Sequence, residues 1–341
     1  MTPTSAQRAL TVLQSTERPT GTTNPYLTQL YASLPASVDL HFFSMRDALF
    51  SRYDVLHLHW PEYLLRHRTR AGTLAKQLCV ALLLLRARVL RVAIVRTLHN
   101  LQPHESGGWR ERVLLDWIDR ATSRWIRLNA TTPERPPATD TILHGHYRDW
   151  FARFPQQEAV QGRLLHFGLI RPYKGVETLI DAFSALPDSA LELRIVGNPV
   201  SPQMRTVVED AAAADARIVT RLQYVEDDVL AQEVGQAELV VLPYRQMHNS
   251  GTLLLALSLS RPVLAPWSEA NAAIAEEVGD GWVFLYRGEL DAPLLASTLA
   301  AVRRRAPASV PDLSRREWPL IGEQHHRCYA QAVAACRGAA R

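Results

Sequence analysis

Short apolar runs alternate with longer amphipathic stretches along this chain, and near its midpoint the alternation begins again. In the first pass "LTVL" (10–13), "VDLHFF" (38–43), "DVLHLH" (54–59), "VAIVRT" (92–97), "WIRLNA" (125–130) and "TILH" (141–144) read as strands. Helical stretches such as "NPYLTQLYASL" (24–34) and "RERVLLDWIDRATS" (110–123) separate most of them. In the second pass the strands are "RLLHF" (163–167), "LELRIV" (191–196), "RIVT" (217–220), "ELVVLP" (238–243), "PVLAP" (262–266) and "WVFLY" (282–286), with helices over 176–186, 204–214, 228–237, 251–260 and 292–305. Strands joined through helices run parallel, because the crossover carries the chain back to the edge it started from. The pattern predicts two doubly wound α/β domains in tandem. The aromatic and polar stretch "HYRDWFARFPQQEAVQG" (146–162) lies between them, and "REWPLIGEQHHRCYAQAVAACRG" (316–338) reads as one more helix. Ligands of such sheets bind beyond the carboxyl ends of the strands, so the residues just after each run are where chemistry is sought.

A length of 341 residues suits two domains that each bury a core. With 47% hydrophobic and 21% charged residues the chain has an ordinary globular composition. A formal net charge of +4 is too small to imply nucleic acid, and is compatible with phosphorylated ligands or an anionic membrane surface. Cys79, Cys328 and Cys336 have neither metal-site nor redox spacing and fit a reducing compartment. The N-terminus lacks the apolar core of a signal peptide, and the longest apolar run, "CVALLLL" (79–85), is too short to span a bilayer. These features lead to the expectation of a cytoplasmic protein, at most peripheral to the inner face of a membrane.

The stretch "HFGLIRPYKG" (166–175) places an arginine and a lysine where a strand hands over to a helix. Cations at a helix N-terminus oppose the helix dipole. An anion held there removes the conflict, because the first N–H groups and the cations then share it. With "LRIVGNP" (193–199), "RLQYVEDDVLAQEVGQAELVVLPYR" (221–245) and "SGTLLLALSLSRPVLAP" (250–266), in this order and spacing, the chain resembles the donor-binding domain of GT-B glycosyltransferases. It is most similar to the family-four "glycosyl transferases group 1" proteins, over roughly residues 160 to 300. The resemblance implies two Rossmann-like parallel-sheet domains facing a central cleft. They would be an acceptor-binding domain over 1–155 and a nucleotide-sugar-binding domain over 156–315, with a helix over 316–341 crossing back to the first domain.

In that family the arginine and lysine of Gly-x-x-Arg-x-x-Lys-Gly bind the diphosphate of a nucleotide sugar. Here they are Arg171 and Lys174, with Gly168 and Gly175 letting the backbone turn closely. Negative charge grows on the diphosphate as the sugar bond breaks, and preorganised cations and helix N-termini stabilise it. The second phosphate element would be Asn249, Ser250, Gly251 and Thr252 at a helix start, where Asn249 or Ser250 could equally be an N-cap. Gly197 and Asn198 form a loop at the cleft rim, as consistent with a plain turn as with a donor contact. Many family members carry Glu-x7-Glu where this chain has Met247 and Leu255, so it resembles a sub-group lacking that pair. Glu276 is a candidate for the ribose or a simple helix carboxylate. "VEDD" (225–228) reads as a helix start with an acidic first turn rather than as a metal site. The resemblance implies a GDP-sugar or UDP-sugar donor, mannose as the first expectation, no further cofactor and no metal.

The first half resembles the family less. "HLHWPE" (57–62) and "TLHNLQPHE" (97–105) both leave strands. In related enzymes a histidine after the later strand contacts the donor sugar, and His99 matches it. Asn100, His104, Glu105, Trp60 and Glu62 supply the planar polar and aromatic groups that sugars need. Gly21, Thr22, Asn24 and Tyr26 lie in the loop after the first strand, on the acceptor side in GT-B proteins, although Asn24 and Pro25 also suit simple capping. Residues 64–91 are basic and apolar together. They fit a membrane-surface helix, or, the preferred reading, a helix packed on the sheet with arginines reaching outward.

The expected function is transfer of a hexosyl group to a glycan, lipid-linked or small-molecule hydroxyl, as in polysaccharide biosynthesis, with retention of configuration. An inverting variant would need a base from Glu62, Glu105 or His99. Other readings are a transferase or phosphorylase using a phosphorylated sugar, and a degenerate scaffold that binds glycans or a partner without catalysis.

Overall fold

The computed structural model describes residues 8–21, 23–99, 107–245, 251–304 and 310–338. The chain forms two compact units, one of residues 1–145 and 316–341, the other of 146–315. Each is built on one six-stranded, all-parallel sheet.

In the first unit the strands are β1 (Leu10–Gln14), β2 (Val38–Phe42), β3 (Val55–Leu58), β4 (Ala93–Leu98), β5 (Arg124–Arg127) and β6 (Thr139–Thr141). Their spatial order is β2-β1-β3-β4-β5-β6. The last strand is the edge of the sheet and sits earlier than "TILH" implied. The chain leaves regular pairing at Thr141, and Ile142 N–H then donates to the Arg127 carbonyl at 3.0 Å. The helix Pro25–Ser33 starts where Asn24 accepts from Tyr26 N–H, with proline at its first position. Residues 64–91 are not one helix. A short helix, Glu62–Leu65, is followed by a break that ends at Thr69, whose side chain accepts from Gly72 N–H and caps the helix Arg70–Leu90.

One face of this sheet is covered by Pro25–Ser33 and by the C-terminal helix Trp318–Gly338. Trp318, Ile321, Cys328, Tyr329, Ala332 and Val333 pack there with Val12, Val55, Val95 and Ile126. The C-terminal helix therefore packs back onto the N-terminal unit, as the GT-B resemblance implied. The other face is covered by Arg70–Leu90 and by the helix Trp109–Ala121, through Val80, Leu83, Leu84 and Ile118. Each fully buried aliphatic side chain contributes about 1.5–3 kcal/mol.

In the second unit the strands are β7 (Arg163–Phe167), β8 (Glu192–Val196), β9 (Ile218–Arg221), β10 (Leu239–Val241), β11 (Val263–Pro266) and β12 (Val283–Tyr286), in the order β12-β11-β10-β7-β8-β9. Alternate residues feed two cores, with Leu165, Phe167 and Val240 on one face and Leu164, Leu239 and Val241 on the other. The unit begins at His146, before the 155/156 division read from the sequence. The "VEDD" stretch opens the helix Asp227–Gly235, where Asp227 accepts from Trp150 Nε1–H at 2.8 Å.

The strand order reverses between β1 and β3 in the first unit and between β7 and β10 in the second. At such a switch point neighbouring strands send their connections to opposite faces and leave an open crevice at the carboxyl edge.

Docking of the C-terminal helix depends on Gly322. A Cβ at this position would lie 1.9 Å from the Ser33 carbonyl oxygen. Gly322→Ala must push the two helices apart. It is expected to lower the stability of the first unit by about 1–3 kcal/mol, the usual cost of overpacking, read from urea unfolding. An unchanged midpoint would show that the helix is not seated as described.

Candidate functional site

The switch point of the second unit holds the "GLIRPYKG" stretch. Beyond β7 and β8 the chain keeps pairing. Gly168 N–H donates to the Val196 carbonyl at 2.9 Å, and Ile170 N–H to that of Asn198 at 3.0 Å. This close approach requires glycine. Gly197 has φ 144°, and a Cβ on it would lie 2.0 Å from the Gly168 carbonyl oxygen. Asn198 takes part through its backbone, with its side chain exposed. The chain then makes a single turn over Pro172–Lys174 and enters the helix Val176–Ser184 through Gly175, at φ 65°. A Cβ on Gly175 would lie 2.2 Å from the Pro243 carbonyl oxygen, so glycine lets the β7 loop lie against the chain leaving β10.

That contact buries Lys174, which is 7% exposed. Its ammonium lies 5.0 Å over the ring of Tyr244. Among the described residues no carboxylate acts on it. Burial pulls its pKa down to about 8, Tyr173 opposes the shift and Arg171 adds to it. Beneath lies His166, which donates from Nδ1 to the Val241 carbonyl at 3.0 Å. Burial and the nearby Lys174 charge lower its pKa to about 4, so it stays neutral. Tyr244 Oη donates to Thr252 Oγ1 at 3.4 Å, on the first turn of the helix Gly251–Ser258. A desolvated cation beside a helix N-terminus is a receptor for an anion. Arg171, half-buried, precedes the same turn.

The switch point of the first unit holds a polar network of another kind. Gln14, at the end of β1, pairs in register with His57 on β3. His57, His59 and His325 are almost wholly buried, and His99, after β4, is half-buried. Desolvation, with mutual repulsion between these rings, holds His57 and His99 well below 6.5 and His59 at about 3. His325 and His144 are lowered to about 4, mainly by burial. A neutral imidazole has one N–H and one lone pair, and the partners fix which is which. Gln14 Oε1 can only accept, so His59 Nε2–H donates to it at 3.2 Å. His59 Nδ1 is then the acceptor for His99 Nε2–H at 2.9 Å. Gln14 Nε2–H donates to Tyr329 Oη at 3.4 Å. The Tyr329 hydroxyl donates to His57 Nδ1, and His57 Nε2–H to Thr97 Oγ1, both at 2.8 Å. Trp60 stacks on His99 with ring centroids 3.9 Å apart, and does so from a left-handed backbone at φ 44°. That conformation is costly for a bulky residue and is typical of functional sites.

Of the other sequence candidates, Tyr26 is buried in this cluster, its ring 5.5 Å from His99. Asn24 is engaged as an N-cap, and Gly21 is exposed, with open space where a Cβ would lie. Glu62 is buried, within electrostatic reach of Arg96. Glu276 is exposed in the last turn of Glu269–Val278. Because that helix runs antiparallel to β11 and β12, Glu276 lies toward the amino edge of the sheet, away from Lys174. Leu255 is partly buried against the core. Thr22, Asn100, His104, Glu105, Met247, Asn249 and Ser250 lie outside the described residues. Gln14, His59, His166 and Tyr244 are brought to the two switch points without having been singled out in the sequence. The signal available for His59 was the alternation in "HLHW", which puts two histidines of one strand end at the carboxyl edge.

Two units, each built on a six-stranded parallel sheet with helices on both faces, form the two-domain architecture of the GT-B class. Residues 161–302 match the family described as "Glycosyl transferases group 1". Two proteins of Xanthomonas campestris pv. campestris, each described as GDP-mannose:glycolipid 4-beta-D-mannosyltransferase, are 66% identical over 333 residues, covering 98% of this chain and 95% of the relative. The chain belongs to this glycosyltransferase family. Among solved structures, Anabaena HepE in complex with UDP-glucose aligns with a TM-score of 0.60 at 15% identity, over 95% of this chain and 98% of that one. Sucrose-phosphate synthase of Thermosynechococcus elongatus aligns with a TM-score of 0.56 at 14% identity, over 97% of each chain. At such identities these structures bear on the fold alone.

The neutral histidines make stability depend on pH. Their folded pKa values lie below the unfolded value of 6.5. Below pH 6.5 the unfolded chain takes up protons that the folded one refuses, so the stability they permit is complete above that pH and is lost as pH falls toward about 4. Each of His57, His59 and His325 should cost about 1.4 kcal/mol per pH unit in that window. The melting temperature is expected to fall steeply from pH 6.5 to 4.5, and one that stays level would refute a neutral cluster.

Proposed function

We propose that the protein transfers mannose from GDP-mannose to a hydroxyl of a glycolipid, without a metal and with inversion at the anomeric carbon. The observation that carries the reading is Lys174, a buried ammonium to which no carboxylate is supplied among the described residues. A diphosphate would complete it, together with Arg171 and the first N–H groups of Gly251–Ser258. Each charge-assisted hydrogen bond to phosphate contributes about 1.5–3 kcal/mol, and more of it is realised as the leaving group gains charge. The donor and acceptor classes are those in the names of the two mannosyltransferases that are 66% identical to this chain. Those names also favour inversion, because the mannose of GDP-mannose is α-linked and the named product is β. Inversion needs a base for the acceptor hydroxyl, and His99 is unprotonated at neutral pH and stands at a strand exit of the first unit.

The test is GDP-mannose hydrolysis in EDTA, which needs no acceptor, together with GDP titration calorimetry. Hydrolysis is expected to persist in EDTA, and its abolition with rescue by Mg²⁺ or Mn²⁺ would overturn the metal-free assignment. Lys174→Ala should weaken GDP binding roughly 10- to 150-fold. Only protonated Lys174 binds the anion, so wild-type affinity should fall about tenfold per pH unit above about 8, a limb that Lys174→Arg abolishes. Unchanged affinity in Lys174→Ala would place the diphosphate elsewhere.

A glycolipid acceptor calls for contact with a bilayer, and the first unit has a face suited to it. Among the described residues no helix is long and apolar enough to cross a membrane. On Arg70–Leu90, however, Leu74, Leu78, Leu82, Leu85 and Val89 form one exposed stripe at helical spacing. Trp109, Val113 and Trp117 form a second on the adjoining helix Trp109–Ala121. Exposed Arg70, Arg88, Arg91, Arg110 and Arg112 surround them. Leucine and tryptophan flanked by arginine match an anionic lipid surface. Flotation with phosphatidylglycerol vesicles should carry the protein upward, and Leu78→Glu with Leu82→Glu should abolish it. Equal flotation of that variant would leave the face without this role.

A further inference from the structure

The starts of the helices Arg70–Leu90 and Trp109–Ala121 open onto one cavity of about 410 Å³ in the first unit. We propose that this cavity is a phosphate site that holds the headgroup phosphate of an anionic bilayer phospholipid. The inference rests on the lipid-facing surface proposed above, to which it adds a discrete site, and is independent of the sugar donor.

The lining is rich in hydrogen-bond donors. Arg68 and Arg70 come from the start of the first helix and Arg110 from the start of the second, and all three are exposed. Among the described residues none of them meets a carboxylate, and Arg110 lies 5.4 Å over the ring of Trp109. His67 accepts from Thr69 N–H at Nδ1, at 3.2 Å, so its Nε2 carries a proton. A Cβ on Gly72 would lie 2.0 Å from that Nδ1, so glycine lets the imidazole rest on the first turn. The carboxylate of the lining is Glu111, and Arg66 holds it at 2.7 Å. Arginines on a first turn oppose the helix dipole, and here two such turns share one cavity. No side chain caps the start of Trp109–Ala121. An anion relieves both helix starts at once.

Gln77 is the member that calls for a ligand. It lines the cavity at 8% exposure and has no hydrogen-bond partner among the described residues. A buried carboxamide left unpaired is costly, and a phosphate oxygen can accept from its NH₂ group.

The apolar part of the lining selects a lipid over a free anion. Leu74 and Trp109 are the first members of the two exposed stripes that run along these helices. The cavity is therefore basic and adjoins apolar surface. Inorganic phosphate uses only the first property. A phospholipid uses both, with its phosphate among the arginines and its acyl chains against the leucines. The two helices carry the chain from β3 to β4 and from β4 to β5, so their N-termini lie at the carboxyl edge of the sheet. A headgroup seated there fixes the height of the bilayer against the edge that holds the first switch point.

The test uses the full chain and dihexanoylphosphatidylglycerol kept below its micelle concentration, which presents single lipids without a surface. Titration calorimetry should show saturable binding at one lipid per chain, and weaker binding of inorganic phosphate. Arg68→Gln with Arg110→Gln should lower the lipid affinity roughly 10-fold, and Gln77→Leu about 3- to 10-fold. Arg88→Gln with Arg91→Gln removes the same charge at the other end of the first helix and should leave the affinity unchanged. Gln77→Leu should hold or raise the melting temperature, whereas a purely structural glutamine predicts a fall. Equal weakening by the Arg88 and Arg91 changes would reveal diffuse attraction to a basic surface and overturn the site. Inorganic phosphate binding as tightly as the lipid would overturn the choice of a lipid, and the absence of saturable binding would overturn both. Failure of the lipid-surface reading would appear separately, as wild-type protein that does not float with vesicles while the soluble lipid still binds.

Discussion

A parallel strand can join its sheet only after a crossover has carried the chain back to the same edge. That constraint organises everything else in this protein. It demands helices on both faces, which is why central strands such as β3, β7 and β10 are buried along nearly their whole length, and it gathers all the strand exits of a unit along one edge. Where the strand order reverses, two exits diverge and leave room for polar groups. Gln14 and His59 stand at the first of those places, and Lys174 and His166 at the second.

The two switch points manage buried polarity in opposite ways. In the second unit a cation is desolvated and, among the described residues, given no carboxylate counter-ion. In the first unit both ring nitrogens of His57 and of His59 are matched by a neighbour, and the matching fixes direction as well as position. An incomplete arrangement favours binding, whereas a satisfied one favours a single protonation pattern. Both are expensive to build in a small core, which explains the glycine contacts below van der Waals distance for any Cβ and the strained Trp60 that accompany them.

Much of the fold was legible because strand runs such as "RLLHF" and "ELVVLP" announce themselves by composition, and glycine marks their ends. Arg171 and Lys174 were conspicuous in the sequence because cations opposing a helix dipole require a reason. His59 and Gln14 were not. Each is ordinary within its strand, and their meaning arises only when β1 and β3 become neighbours across residues that are far apart in sequence. Glu276 illustrates the converse. Its sequence context suited a ligand contact, whereas helix direction puts it toward the amino edge of the sheet. The leucine stripe of Arg70–Leu90 was obscured because an apolar run that packs inward and one that faces outward have the same composition.

The helix Trp318–Gly338 has a further consequence, for the order in which the protein can be completed during synthesis. His57 is hydrogen-bonded to Tyr329 across 272 positions of sequence. While the ribosome is still making the second unit, the first lacks the helix that covers one face of its sheet and the hydroxyl that terminates its polar network. The nascent first unit must wait, with Val12, Val55, Val95 and Ile126 covered by Pro25–Ser33 alone, until residues beyond 318 emerge from the exit tunnel. The part of the protein translated first is thus the part finished last, and its exposure to chaperones lasts as long as translation of the second unit takes.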